Sequence, residues 1–199
     1  MSASSDSNGK GLKDYGVIAI NGEIDQGTAS SVCNEIIEMN LGGASDQIQL
    51  IINSPGGSLY AGFAIIDMME WSRLPVYTTG VGLVASMALM ILMAGERGRR
   101  VITPRTSILS HRFSAFSIGN HSELIAQRKE QDYMHRRILE HYRTYSSLKS
   151  DAELESRLLR DVDTWLTPDE AVEYGLVDVV ETLRRGPART PVTEEATHA

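Results

Sequence analysis

The stretch IQLIINSPGGSLYAGFAIIDMM, residues 48–69, changes periodicity at its centre. Ile48 to Ile52 is an apolar run of strand length, and Asn53-Ser-Pro-Gly-Gly57 stops it. From about Ser58 the residues Tyr60, Phe63, Ile65, Ile66 and Met69 follow helical spacing. The reading is strand, glycine-bearing loop, helix. The next segment repeats that outline: Pro75-Val-Tyr-Thr-Thr79 as a strand, Gly80 to Ala85 as a loop, Ser86 to Ala94 as a buried helix. The two segments differ too much in sequence to count as a repeat. Upstream, Gly16-Val-Ile-Ala-Ile20 is β-like and Asn21-Gly22 is a turn signal. Ala29 to Met39 has helical spacing through Val32, Ile36 and Ile37, and Leu41-Gly42-Gly43 ends it. Downstream, Arg100 to Thr103 and Ser107 to His111 are two further strands. Alternating strands and helices predict an α/β layered fold.

The C-terminal third reads differently. Asn120 to about Ser147 is one long helix, with Asn120 and Glu123 able to form a capping box. Gln127 to Asp132 is polar all round, whereas Met134, Ile138, Leu139 and Tyr142 give the second half an apolar stripe. Such a helix projects from the core and packs on a partner. Thr167-Pro-Asp-Glu170 is a second capping box with Pro168 at the first helical position. Gly175 ends that helix, and Leu176 to Val180 is a last strand. Residues 1–11 and 183–199 read as disordered tails around one domain at 12–182.

Composition narrows the function. The chain has 199 residues, 42% of them hydrophobic, and a net charge of −7. That size suits one domain with a sizeable core, and the acidic balance argues against nucleic-acid binding. Cys33 is the single cysteine, which excludes an intrachain disulfide and a cysteine-based zinc cluster. The N-terminus has no apolar signal-peptide core. The greasiest run, Val81 to Ala94, is too short for a bilayer, which needs about 20 residues. A cytoplasmic protein without membrane attachment is expected.

Three elements could carry chemistry together. Ser86 follows a glycine-bearing loop and opens an apolar helix, where free amides favour negative charge. Alone, it reads better as a small packed residue. Gly56-Gly57 lets backbone amides approach a ligand, as an oxyanion hole requires. Alone, it is an ordinary turn. No P-loop motif is present. His111 ends a strand and could serve Ser86 as a base. His121, His135, His141 and His198 are weaker candidates. Asp161 and Asp163 both remain open as the acid that orients the base.

Taken together, INSPGGSLYAGFAI (52–65), GLVASMALMILMAGERGRR (82–100), ILSHRF (108–113) and DTWLTPDEAVEYGLVD (163–178) resemble the ClpP family of self-compartmentalised serine peptidases. LKDYGVIAINGEID (12–25) is similar to that family's first strand. The spacings agree, with 30 residues from Gly56 to Ser86 and 25 from Ser86 to His111. The resemblance implies a ClpP/crotonase fold of stacked ββα units, with a projecting handle at about 112–147. It implies Ser86 as nucleophile, His111 as general base and Asp163 as the orienting acid, with Asp161 as fallback. Gly57 and Met87 would supply oxyanion-hole amides and Gly56 would shape the loop. No cofactor or metal is implied. The implied substrates are unfolded polypeptides, delivered by a partner AAA+ unfoldase into a chamber of heptameric rings, usually paired as a tetradecamer.

The chain departs from the family pattern at four places. Its segment before Leu12 is short. Ile51 replaces an aromatic that helps to hold unfoldase loops. Arg112-Phe-Ser-Ala-Phe116 replaces Gln-Pro and a Gly-Gly pair. Val162 replaces an arginine that many members use between rings. A noncatalytic ClpP-like subunit, a crotonase-type acyl-CoA enzyme and a phage capsid-maturation protease are the competing readings.

Overall fold

The computed structural model describes residues 11–43 and 45–182. The two expected tails fall outside these residues, apart from Gly11. The described chain is mixed α/β, with a seven-stranded, mostly parallel sheet. The path β1-β2-β3-β4-β7 comprises β1 (Val17–Asn21), β2 (Ile48–Ser54), β3 (Val76–Ala85), β4 (Arg100–Ile102) and β7 (Val179–Val180). β5 (Ser107–Ser110) leaves that path to pair with β3, and β6 (Thr164–Leu166) pairs antiparallel with β5.

Residues Ile48, Leu50 and Ile52 alternate inward on β2 and are buried, while Gln49 and Ile51 face the half-buried side. Helices cover the buried side. α1 (Gln26–Gly42) turns Ala29, Val32, Ile36 and Met39 inward, and α2 (Leu59–Trp71) buries Phe63, Ile65, Ile66 and Met69. α1 starts three residues earlier than its apolar spacing predicts, because Asp25 caps it by accepting the Thr28 N–H at 2.7 Å. α3 (Met87–Met93) is buried over its whole length, as its unbroken apolar sequence requires.

β3 differs most from expectation. Gly80 to Ala85, read as a loop, continues the strand for a total of ten residues. The first half pairs with β4, and Leu83 to Ala85 pair with β5. The register against β2 shifts between Ile52 and Ser54. Asn53 steadies the irregularity by accepting the Leu83 N–H at 3.1 Å. One strand thus serves two parts of the sheet and delivers Ser86 between them.

α4 (His121–Tyr145) has the predicted Asn120–Glu123 capping box. Its first half is largely exposed, and Met134, Ile138, Leu139, His141 and Tyr142 bury its second half. α5 (Asp151–Arg157) was not anticipated. It is short, capped by Ser150, and buries Leu154. α6 (Pro168–Glu173) has the expected Thr167–Glu170 box. The buried Arg100 and the half-buried Asp178 form an ion pair at 2.6 Å that joins β4 to the approach to β7. Burial opposes the Asp178 charge, yet the Arg100 guanidinium and the Arg100 and Gly98 amides hold its pKa below the usual range.

Candidate active site

Ser86 joins the end of β3 to the start of α3. Its backbone lies at φ 55° and ψ −122°, and it is the one non-glycine residue with positive φ among the described residues. Such a conformation costs about 1–3 kcal/mol and persists where the surroundings hold it. Here the Ser86 N–H donates to the Leu109 carbonyl at 2.9 Å, and the Ser86 carbonyl accepts from Leu89 N–H at 3.0 Å. The buried α3 fixes the other side. The side chain is turned out of the strand-to-helix bend, an elbow of the kind that presents a nucleophile.

His111 lies one residue beyond β5. Its Nε2 is 2.8 Å from Ser86 Oγ. Beneath it, Ser110 Oγ and the buried Tyr142 hydroxyl lie 2.8 Å apart and tie the end of β5 to α4. Burial pushes the Tyr142 phenol up to about 12, so it remains a neutral hydrogen-bonding group.

Asp163 reaches the site through strand register. β5 and β6 pair Ile108 with Leu166, Leu109 with Trp165 and Ser110 with Thr164. One step further, His111 faces Asp163. Their nearest atoms, His111 Nδ1 and Asp163 Oδ1, are 3.7 Å apart. That is beyond hydrogen-bond length but within ion-pair reach. Asp161 turns elsewhere: its Oδ1 is 3.2 Å from Arg112 Nη1.

The Asn53–Gly57 loop closes the other side. Gly56 has φ +92°, and a Cβ there would lie 2.8 Å from Ser86 Cβ and 3.0 Å from the Met87 nitrogen. Only a glycine allows the loop to press so closely on the elbow. Ile24 bridges to Gly57 in parallel, donating its N–H to the Gly56 carbonyl and accepting the Ser58 N–H. That pattern points the Gly57 N–H away from Ile24. The Met87 N–H belongs to the first turn of α3, where an amide has no intrahelical acceptor. The Met87 side chain itself lies across Gly62 of α2, where a Cβ would meet its Cγ at 2.1 Å.

A groove of about 510 Å³ runs from Gly57 and Leu59 between residues 113–118 and α4. Phe113, Phe116, Ile118 and Met134 are among its lining residues.

The structure therefore gathers Ser86, His111, Asp163, Gly56, Gly57 and Met87 in one corner, and directs Asp161 to Arg112. Of the other histidine candidates, His198 lies outside the described residues, and His135 and His141 have partners of their own. His135 Nε2 is 3.3 Å from Glu155. The buried His141 donates through Nε2 to the Met90 carbonyl at 2.9 Å, and its burial lowers its pKa to about 4. Among the described residues no group of three or more His, Cys, Asp or Glu side chains could hold a metal. None of their helices is long and apolar enough to cross a membrane.

The profile of the Clp protease family matches residues 3–184, nearly the whole chain. The chain belongs to the Clp protease family. It is 34% identical over 171 residues to the ATP-dependent Clp protease proteolytic subunit of Deinococcus radiodurans, covering 85% of this chain and 81% of that one. It is 36% identical over 177 residues to the ATP-dependent Clp protease proteolytic subunit 2 of Corynebacterium glutamicum, covering 86% and 84%. The corresponding subunit 2 of Nocardia farcinica is 35% identical over 164 residues, covering 82% and 79%. Membership of the Clp protease family makes the chain a serine-type peptidase, and its mixed α/β sheet is consistent with the ClpP fold.

Two supports of the candidate site escaped sequence reasoning. Tyr142 read as one apolar position in a helical stripe, and its pairing with Ser110 has no local signal. The positive φ of Ser86 is likewise set by the strands and helix around it.

Proposed function

We propose that the chain is an endopeptidase that hydrolyses peptide bonds of unfolded polypeptides by a Ser86–His111–Asp163 triad. The observation that carries this reading is the 2.8 Å contact between Ser86 Oγ and His111 Nε2 at a strained strand-to-helix bend. His111 Nε2 takes the Ser86 proton as Oγ attacks the scissile carbonyl carbon. The carbonyl oxygen gains negative charge and is met by the Gly57 and Met87 amides. The intermediate collapses, and His111 delivers the proton to the departing amine. Water then attacks the acyl carbon as His111 takes its proton, and collapse of the second intermediate frees the acid while His111 returns the proton to Ser86 Oγ. Asp163, opposite Nδ1, favours the tautomer with Nε2 unprotonated and stabilises the imidazolium. Catalytic contacts tighten as charge develops, and the 3.7 Å approach is expected to shorten in that step.

An extended chain laid along the groove beside Gly57 would present its carbonyl to Ser86. We assign the chamber to copies of this chain in heptameric rings, singly or paired. The exposed Phe116, Ile118, Leu124, Ile125 and Tyr133 in the 112–147 handle region support such assembly. The words "ATP-dependent" in the relatives' names support an AAA+ ATPase as the source of unfolded substrate.

The test is to separate the protein by sedimentation, treat each species with a fluorophosphonate and read intact masses. A single adduct on a heptamer or larger species, absent from Ser86→Ala, is expected. No adduct on assembled wild type refutes the triad, and a clean monomer at micromolar concentration refutes the ring.

A further inference from the structure

The residue after His111 is an arginine, and it reaches the loop that carries Asp163. The Arg112 backbone N–H donates to the Arg160 carbonyl at 3.4 Å. Its guanidinium then forks: Nη1 lies 3.2 Å from Asp161 and Nη2 lies 3.6 Å from Glu155. Glu155, on α5, also meets His135 of α4 at 3.3 Å. Three attachments therefore converge on the segment from α5 to β6, all from one residue adjacent to the base. That segment ends at Asp163, and β6 holds it through three residue pairs.

Two carboxylates lie on this segment. Asp161 and Asp163 flank Val162 in the bend that leads into β6, and they take different partners, Arg112 for Asp161 and His111 for Asp163. His111 can be oriented by one of them. Asp161 is held by Arg112, on the neighbouring position of the same strand end. With Arg112 removed, the loop would lose both side-chain ties to the residue that follows His111.

We propose that Arg112 is a positioning residue for the triad: by engaging Asp161, and Glu155 behind it, Arg112 tethers the loop so that Asp163 stays in reach of His111. The inference rests on the proposed triad. Arg112 touches neither Ser86 nor the reacting carbonyl in this scheme, so its effect falls on kcat through Asp163. Lysine at this position keeps the charge but cannot reach two carboxylates with a planar fork. The ion pairs are largely exposed, and such pairs contribute little to stability. Folding and assembly are therefore expected to survive the substitutions.

The experiment is a double-mutant cycle on assembled protein, with a short fluorogenic peptide for kcat and KM and a fluorophosphonate for Ser86 reactivity. Arg112→Ala is expected to lower kcat and the labelling rate by about tenfold, within the roughly 100-fold that a displacement of about 1 Å costs, with KM changed less than about twofold. Asp161→Asn should lower them similarly. The double variant should be no slower than the slower single variant, because both remove one interaction. Arg112→Lys should recover part of the loss. Singles that multiply in the double variant, or an effect confined to KM, overturn the proposal while leaving the triad intact. Wild type that takes no label at Ser86 overturns the proposed function and this inference with it. Should Arg112→Ala not assemble, Asp161→Asn decides alone, and a kcat within about twofold of wild type overturns the proposal.

Discussion

Gly56→Ala tests how tightly the glycine loop is fitted against Ser86. A Cβ at Gly56 would sit 2.7 Å from the Ala85 carbonyl oxygen, 2.8 Å from Ser86 Cβ and 3.0 Å from the Met87 nitrogen, whereas ordinary contact begins near 3.4 Å. These neighbours belong to, or lie directly on, the backbone of the elbow, so no flexible side chain can swing aside. Relief needs a separation of roughly 0.6–0.7 Å between the loop and the elbow. The substituted residue would also have to hold φ +92°, adding a strain of about 1–3 kcal/mol. For a chain of this size that corresponds to a fall in melting temperature of about 3–10 °C. The chemical consequence should be larger. A shift approaching 1 Å between Ser86 and the proposed oxyanion donors costs up to about 100-fold in rate, so fluorophosphonate labelling of Ser86 should slow by about tenfold to 100-fold. Labelling at the wild-type rate by a destabilised variant would mean that the loop supports the fold without setting the geometry of Ser86 and Met87. That result would refute the argument.

Asp163→Asn should reduce peptide turnover about 1000-fold or more by favouring the wrong histidine tautomer, while Asp161→Asn, acting through Arg112, should cost far less. The reverse order in kcat would transfer the orienting role to Asp161. His141 should make stability depend on pH. Burial holds its pKa at about 4 instead of the usual 6.5. The unfolded chain takes up this proton first as pH falls, so the contribution is complete above about 6.5 and is lost as pH falls towards 4. Between pH 7 and pH 5 it amounts to about 2 kcal/mol. His141→Phe should remove that difference in urea unfolding at the two pH values, and an unchanged difference would exclude His141 as its source.

Much of the architecture was legible because local signals agreed with the global fold. The apolar run Ile48–Ile52, two glycines and a helical stripe specify strand, loop and helix without reference to anything distant. The two capping boxes marked the starts of α4 and α6 for the same reason. What escaped depends on partners remote in sequence. Gly80 and Gly82 signal a loop locally, yet strands on both sides recruit residues 80–85 into β3. β6 has three residues and no periodicity that a sequence could display. Without β6 there was no register, and therefore no physical ground in the residues alone for preferring Asp163 to Asp161. Ser86 was visible as a lone hydroxyl in a greasy run, but its left-handed backbone was not.

The pairing of β5 with β6 makes the site indifferent to distance along the chain. His111 and Asp163 are separated by α4 and α5, yet they meet because one ribbon ends with both at the same rung. A slip of one residue in that ribbon would bring Val162 or Thr164 to His111 and leave the proposed base without a carboxylate. The long excursion between the two strands can accordingly be lengthened, shortened or reshaped for assembly, provided that it returns the second strand on the correct rung and leaves Glu155 within reach of Arg112. The ribbon acts as a ruler for the chemistry and releases the handle region to diverge.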